Sequence, residues 1–241
     1  MLFRSDGGGG TPIVVIPGIQ GRWEWMKPAI DTLAQRSRVI TFSLADEPTC
    51  GGDLDDSRGI DSYVEQVRAA LDLAGIERAA VCGVSFGGLI AAAFAARFPD
   101  RVSSLVLVSA LPPTWTPDSR VRFYLRAPRL LSPLFCVGSV RLCREIFAAN
   151  PGLSAGIGAA ARHGWRVVTH LFSPGRMARR VRLLDGLRLQ AELATMVWSH
   201  PSIRHSWYRN ESGRIFILSP WRLVDFWSWT RVPDADAFTL R

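Results

Sequence analysis

One stretch constrains this chain more than any other. The apolar run Ala79 to Cys82 passes through Gly83-Val84-Ser85-Phe86-Gly87 into a second apolar run that stops at Phe98, before Pro99. A short buried strand that turns into a helix within one or two residues needs glycine on both sides of the turn. That arrangement belongs inside a parallel sheet. The rest of the first 110 residues repeats the alternation. Ile13 to Ile16, between Pro12 and Pro17, reads as a buried parallel strand. Met26, Ile30, Leu33 and Ala34 keep helical spacing, with Pro28 tolerated in the first turn. Val39 to Phe42 reads as the next strand and Asp46 to Gly59 as loop. Ser62-x-x-Glu65 predicts a capping box for a helix whose buried stripe is Val64, Val67, Leu71 and Ala74, closed by Gly75. Ser104 to Ser109 follows as a strand. The prediction is an α/β fold, a parallel sheet covered by helices on both faces.

Three segments follow from the change in character along the 241 residues. Residues 1–112 form the α/β core. Residues 113–196 read as a helical insertion broken by Pro128, Pro133, Pro151 and Pro174. Residues 197–241 form a divergent tail rich in Trp and Arg, with Trp198, Trp207, Trp221, Trp227 and Trp229. Only Arg214 to Ser219 looks like a strand there. The C-terminal part of the sheet is therefore expected to be incomplete, with the edge beside Ser104–Ser109 open or irregularly covered. The shift in composition near Met196 reads first as a change of reading frame, with a divergent ending or an over-run at a gene break as the alternatives.

Composition removes several classes of function. No signal peptide is visible at Met1 to Gly10, and no apolar run reaches the length of a membrane span. Cys50, Cys82, Cys136 and Cys143 show neither CxxC spacing nor a nearby histidine cluster, so no metal site or disulfide framework is expected and a cytoplasmic location fits. Cys82 reads as a small buried hydrophobe. The net charge of +8 is uneven. Residues 1–118 carry 10 basic and 14 acidic side chains, net −4, and residues 119–241 carry 19 and 7, net +12. No nucleic-acid recognition motif accompanies that charge, and a nucleic-acid partner is not expected.

The chemistry sits at Ser85. A serine in a tight strand-to-helix turn is held in strained backbone geometry with its oxygen in the cleft. The new helix aims its first amides at the same point, where negative charge develops in acyl transfer. Pro17-Gly18-Ile19-Gln20-Gly21, after the first clear strand, is placed to supply a second amide. By position, the expected donors of such an oxyanion hole are the N–H groups of Ile19 and Phe86; the alternative is a plain β-turn that starts the first helix.

These two motifs, with strand–helix–strand–helix between them, resemble the bacterial α/β-hydrolase family, and the likeness continues through Leu105 to Ala110. The resemblance implies a helical cap in the insertion and an acyl-enzyme mechanism in which Ser85 attacks a small, hydrophobic, ester-like substrate. It implies no metal and no organic cofactor. A serine at this point separates the chain from the dehalogenases and epoxide hydrolases of the fold, which carry aspartate there. The aromatic side chains Trp115, Phe123, Tyr124, Phe135, Phe147, Trp165 and Phe172 can either line a substrate pocket or pack the cap. Two departures stand out: Pro17 replaces the His common before the loop glycine, and the first antiparallel strands are missing or reduced to Met1 to Arg4.

The family order is Ser, then an acid, then His. Here His163 and His170 lie in the insertion, and His200 and His205 precede the last strand candidate. Asp225 stands where the acid loop would fall, and no histidine follows it. The expectation is a serine hydrolase that is weak or inactive, because a hydroxyl without a base is a poor nucleophile. The alternative is a non-catalytic ligand-binding protein of the same fold, or a truncated or frame-changed fragment.

Overall fold

The computed structural model describes residues 3–6, 10–50, 54–111, 115–131, 158, 173–184, 187 and 215–218, the backbone alone at 3–6 and 215–218. Six strands form one sheet in the order β1-β3-β2-β4-β5-β6. They are β1 Phe3–Asp6, β2 Pro12–Ile16, β3 Arg38–Phe42, β4 Ala79–Val84, β5 Val102–Val108 and β6 Ile215–Leu218. β1 runs antiparallel to β3, and the other pairs are parallel. Helices carry the crossovers: α1 Lys27–Leu33 from β2 to β3, α2 Asp61–Leu73 from β3 to β4, and α3 Phe86–Arg97 from β4 to β5. This is the α/β architecture expected from the alternation.

Side-chain alternation sends the residues of β2, β3, β4 and β5 to two separate cores. Val14, Ile16, Ile40, Phe42, Val81, Leu105 and Leu107 join the larger cluster, under α2 and α3. Val15, Val39 and Cys82 join the smaller one with Ile30 of α1, and Ile13, Val106 and Val108 pack against it. Both faces are thus apolar, which explains why the strands read as continuous hydrophobic runs. Burying each such Val, Leu or Ile contributes about 1.5–3 kcal/mol relative to exposure. Helix α3 goes further. Every residue from Phe86 to Ala95 is buried, so this helix has no polar face.

Helix α2 buries Val64, Val67 and Leu71 as expected, and Tyr63, Gln66 and Ala70 with them. Its start differs from the predicted capping box. The 3-10 turn Asp56–Arg58, capped by Asp55, delivers the chain into the helix at Asp61. Ser62 is already inside the first turn, where its hydroxyl donates to the Asp55 carbonyl (2.9 Å). Glu65 instead accepts from Arg68 (2.8 Å). The C-terminus follows the sequence closely. Gly75 has φ +65°, its N–H donates to the Asp72 carbonyl (3.0 Å), and the Ile76 N–H donates to the Leu71 carbonyl (2.9 Å). This is a Schellman cap with its apolar Leu71 and Ile76 both in the core.

At the two sheet edges the structure refines the sequence reading. The reduced N-terminal strand is Phe3–Asp6, registered on Val39–Phe42. The edge beyond β5, expected open or irregular, carries a regular parallel ladder from Leu105↔Ile215 to Val108↔Leu218. The run Ile215–Leu218 thus pairs with the outer edge of β5 over those four positions.

The chain divides into two compact units, Met1–Thr116 together with Leu183–Arg241, and Pro117–Arg182. The second contains α4 Ser119–Arg126 and α5 Pro174–Arg182. The changes in composition along the chain place the corresponding boundaries at 112/113 and 196/197. Trp115, grouped there with the insertion aromatics, falls in the first unit and packs on its larger core, as do Leu183 and Leu187. Phe135, Phe147, Trp165 and Phe172 lie outside the described residues. Among the described residues, no helix is long and apolar enough to cross a membrane.

Candidate active site

Strand order decides where a cleft forms. The chain leaves β2 toward β3 on one side and leaves β4 toward β5 on the other, so the order reverses between β2 and β4. In open α/β sheets the loops diverge at such a point and leave a crevice at the carboxyl ends of the strands. Both motifs stand at this point. The register Ile16↔Gly83 brings Pro17-Gly18 and Val84-Ser85 out of the sheet side by side.

Ser85 is the residue between β4 and α3, with φ 52° and ψ −115°. That region is ordinarily reserved for glycine and costs a non-glycine residue on the order of 1–3 kcal/mol. Two hydrogen bonds hold it. The Ser85 N–H donates to the Val108 carbonyl at the end of β5 (2.8 Å), and the Gly88 N–H donates to the Ser85 carbonyl (2.9 Å). Space is equally restrictive. A methyl group on Gly87 would lie 2.5 Å from the carbonyl oxygens of both Ile16 and Pro17, and one on Gly83 would collide with the Gly87 and Gly88 backbone. One on Gly88 would meet Ala110. The glycines therefore set how closely α3 approaches the strand ends.

The Pro17–Gly21 loop closes as a turn through the Gly21 N–H and the Gly18 carbonyl (2.9 Å), with Gly21 at φ +75°. It lies against Ser85: a methyl on Gly18 would sit 3.6 Å from the Ser85 Cβ and 3.4 Å from the Val84 carbonyl oxygen. The Leu44 N–H donates to the Gly21 carbonyl (2.7 Å) and ties the turn to the chain beyond β3. Arg22 pairs with Glu24 (2.9 Å). The Glu24 hydrogen bond raises the Arg22 pKa above its usual value; burial opposes this, and the charges of Glu24 and Glu47 add to it. Ile19 is half-buried and packs on the larger core. Phe86, fully buried, meets Tyr63 edge-to-face with ring centres 5.8 Å apart. The Tyr63 hydroxyl donates to Asp46 (3.2 Å).

The structure thus brings together Ser85, Phe86 and the Ile19 turn. Asp225 and the four histidines, His163, His170, His200 and His205, lie outside the described residues. Cys82 behaves as the buried hydrophobe expected, with desolvation pushing its thiol up to about 11. Among the described residues, no group of three or more His, Cys, Asp or Glu can hold a metal ion.

Sequence reasoning missed two features. Ser109 is a second non-glycine residue at positive φ (49°), directly after β5 and next to the carbonyl that Ser85 uses. Gln66 is buried and accepts from the Ala45 N–H (2.9 Å) while donating to the Ser43 carbonyl (2.8 Å) and Cys50 Sγ (3.2 Å). Its position on the stripe with Tyr63, Val67 and Ala70 was the available signal.

Residues 11–129 match the model of the family described as the alpha/beta hydrolase fold. A protein bearing a carbamate-hydrolase name from Azorhizobium caulinodans is 36% identical over 108 residues, 45% of this chain and 40% of that protein. The 2-hydroxy-6-oxo-2,4-heptadienoate hydrolase of Pseudomonas putida is 32% identical over 110 residues, 44% and 40% of the two chains. Among solved structures, the enol-lactonase from Burkholderia xenovorans superposes with a TM-score of 0.59 at 16% identity, covering 90% of this chain and 87% of that one. The chain spans about two fifths of the length of the curated relatives it matches.

Proposed function

Residues 11–129 belong to the α/β-hydrolase fold family, and on that premise we propose that Ser85 is the nucleophile of a serine hydrolase acting on a small hydrophobic ester. One observation carries the reading: Ser85, in a glycine-type conformation, stands against the Gly18 turn at the point where the strand order reverses. The relatives' names, which cite a carbamate and a dienoate, and the enol-lactonase of like fold support hydrolysis of a small molecule.

In this mechanism the Ser85 Oγ attacks the ester carbonyl carbon and gives up its proton. The carbonyl oxygen gains the negative charge, which the N–H groups of Ile19 and Phe86 receive. Collapse breaks the carbon–oxygen bond to the alcohol, which leaves with the proton that Ser85 gave up; water then attacks the acyl group on Ser85, releasing the carboxylic acid and returning a proton to the Ser85 oxygen. The packing of Phe86 on Tyr63 holds the first residue of α3 in place. Preorganised donors of this kind contribute on the order of 10²–10³ in rate each. The general base is the weak point. All four histidines of the 241 residues precede β6, whereas the family order places the base after the acid. A serine without an assigned base turns over slowly on this reading.

A fluorophosphonate probe tests the assignment. Slow covalent labelling that disappears in Ser85→Ala is expected, with label recovered on the Ser85 peptide. Complete absence of labelling, with the fold intact, would leave the fold without this chemistry and favour a ligand-binding role.

A further inference from the structure

Charge is divided between the two compact units. The Pro117–Arg182 unit holds twelve arginines and two acids, Asp118 and Glu145, a net +10. The remaining residues hold 17 basic and 19 acidic side chains, a net −2. Asp118 is already engaged: its carboxylate caps α4 by accepting from the Val121 N–H (2.8 Å).

Along α4 and the turn after it, this charge alternates with exposed apolar side chains. Arg120, Arg122, Arg126 and Arg129 are exposed. Among the described residues three large hydrophobics are exposed, and two of them are here: Phe123 at 49% and Leu130 at 78%. Ser119, Arg120, Phe123 and Tyr124 line a depression of about 290 Å³. At the other end of α4, Arg182 of α5 donates to the Leu125 carbonyl (2.6 Å). That bond brings the arginine-rich end of α5 to the last turn of α4.

We propose that this arginine-flanked face of α4 docks on bilayer surfaces rich in anionic lipid. Charge complementarity selects an anionic partner, and the apolar side chains select which kind. Phe123 and Leu130 gain by leaving water at the boundary between headgroups and acyl chains, while neighbouring guanidinium groups meet the lipid phosphates. A nucleic acid would use the same arginines, but base-edge reading calls for polar side chains beside them and gives Leu130 nothing to do.

The test uses the full 241-residue chain and sedimentation with phosphatidylcholine vesicles, with and without phosphatidylglycerol. Binding is expected only when phosphatidylglycerol is present, and it falls as salt shortens the Debye length from ~10 Å at 0.1 M to ~3 Å at 1 M. Each arginine near such a surface contributes about fivefold in affinity, so R120Q/R126Q weakens binding by about 25-fold. F123S/L130S weakens binding while leaving its salt dependence in place. R122Q/R129Q serves as an independent pair should the first disturb folding, which far-UV circular dichroism reports. Failure of the wild-type chain to bind phosphatidylglycerol vesicles overturns the proposal. Equal binding to neutral vesicles, or binding to duplex DNA tighter than to vesicles, does the same.

Discussion

Replacing Gly87 with alanine puts a methyl carbon 2.5 Å from two backbone carbonyl oxygens, Ile16 and Pro17, and 3.0 Å from the Ile16 carbonyl carbon. Unstrained carbon-to-oxygen contacts of this kind lie near 3.3–3.6 Å, so about 0.8 Å must be found. No side chain can swing away to provide it. Ile16 is registered on Gly83 in the centre of the sheet, and moving it disturbs the β2–β4 ladder. The helix itself favours the substitution by about 0.5–1 kcal/mol, since glycine loses more entropy than alanine. Overpacking costs about 1–3 kcal/mol, and backbone obstacles lie at the upper end. The net is a loss of about 1–2 kcal/mol, a fall in Tm of roughly 2–8 °C for a chain of this size. Because Pro17 leads directly into Gly18 and Ile19, fluorophosphonate labelling of Ser85 should slow as well. Urea unfolding followed by circular dichroism measures the first effect, and labelling rate the second. Gly175→Ala is the control: its methyl would have only Ser173 Oγ nearby, at 4.0 Å, and the variant should be neutral or slightly more stable. If Gly87→Ala matched wild type in both stability and labelling, the argument that glycine sets the approach of α3 would be wrong.

Three further substitutions or conditions separate strain, hydrogen bonding and burial. Ser85→Gly relieves the positive φ and should stabilise the fold by about 1–2 kcal/mol in chemical denaturation while abolishing labelling; a destabilised variant would mean the serine is not strained. Gln66→Ala leaves the Ala45 N–H and Ser43 carbonyl unpaired in the core and should cost about 2–4 kcal/mol, read from the urea midpoint, with a loss under 1 kcal/mol contradicting the assigned bonds. Burial raises the Cys82 thiol from 9.0 to about 11, so the folded state holds its proton more tightly than the unfolded state. That contribution is complete below pH 9 and is lost as pH rises from 9 to 11, about 2–3 kcal/mol in all. A Cys82→Ala variant whose stability falls just as steeply over that window would assign the loss to other groups.

The local parts of the fold were legible because each rests on a short-range rule. Period-two burial on both faces gives apolar runs such as Ile13–Ile16, and glycine at 75 marks a left-handed helix end. The Ser85 turn between β4 and α3 (the elbow) was legible because steric exclusion at 83 and 87 leaves glycine as its signature. What escaped depends on distant partners. Whether Ser62 caps a helix is decided by the turn at Asp56–Arg58, and no property of Ser62 itself reports it. Ser109 takes a strained conformation because of what surrounds the end of β5, and its residue type carries no mark of that. The pairing of Ile215–Leu218 with β5 joins segments more than a hundred residues apart, beyond any windowed pattern.

The bond from the Ser85 N–H to the Val108 carbonyl, with Gly88 seated on Ala110, also sets an order of events during synthesis. The ribosome releases the serine before the residues that bend it into shape. At about 5–20 residues per second, the 25 residues from Ser85 to Ala110 take roughly 1–5 s to appear. Through that interval the nascent turn has no carbonyl to receive its amide, and α3, without a polar face, has apolar surface waiting for cover. The elbow is therefore assembled backwards, from the later strand onto the earlier serine. A nascent chain stalled before Val108 emerges would present the motif's sequence without its geometry.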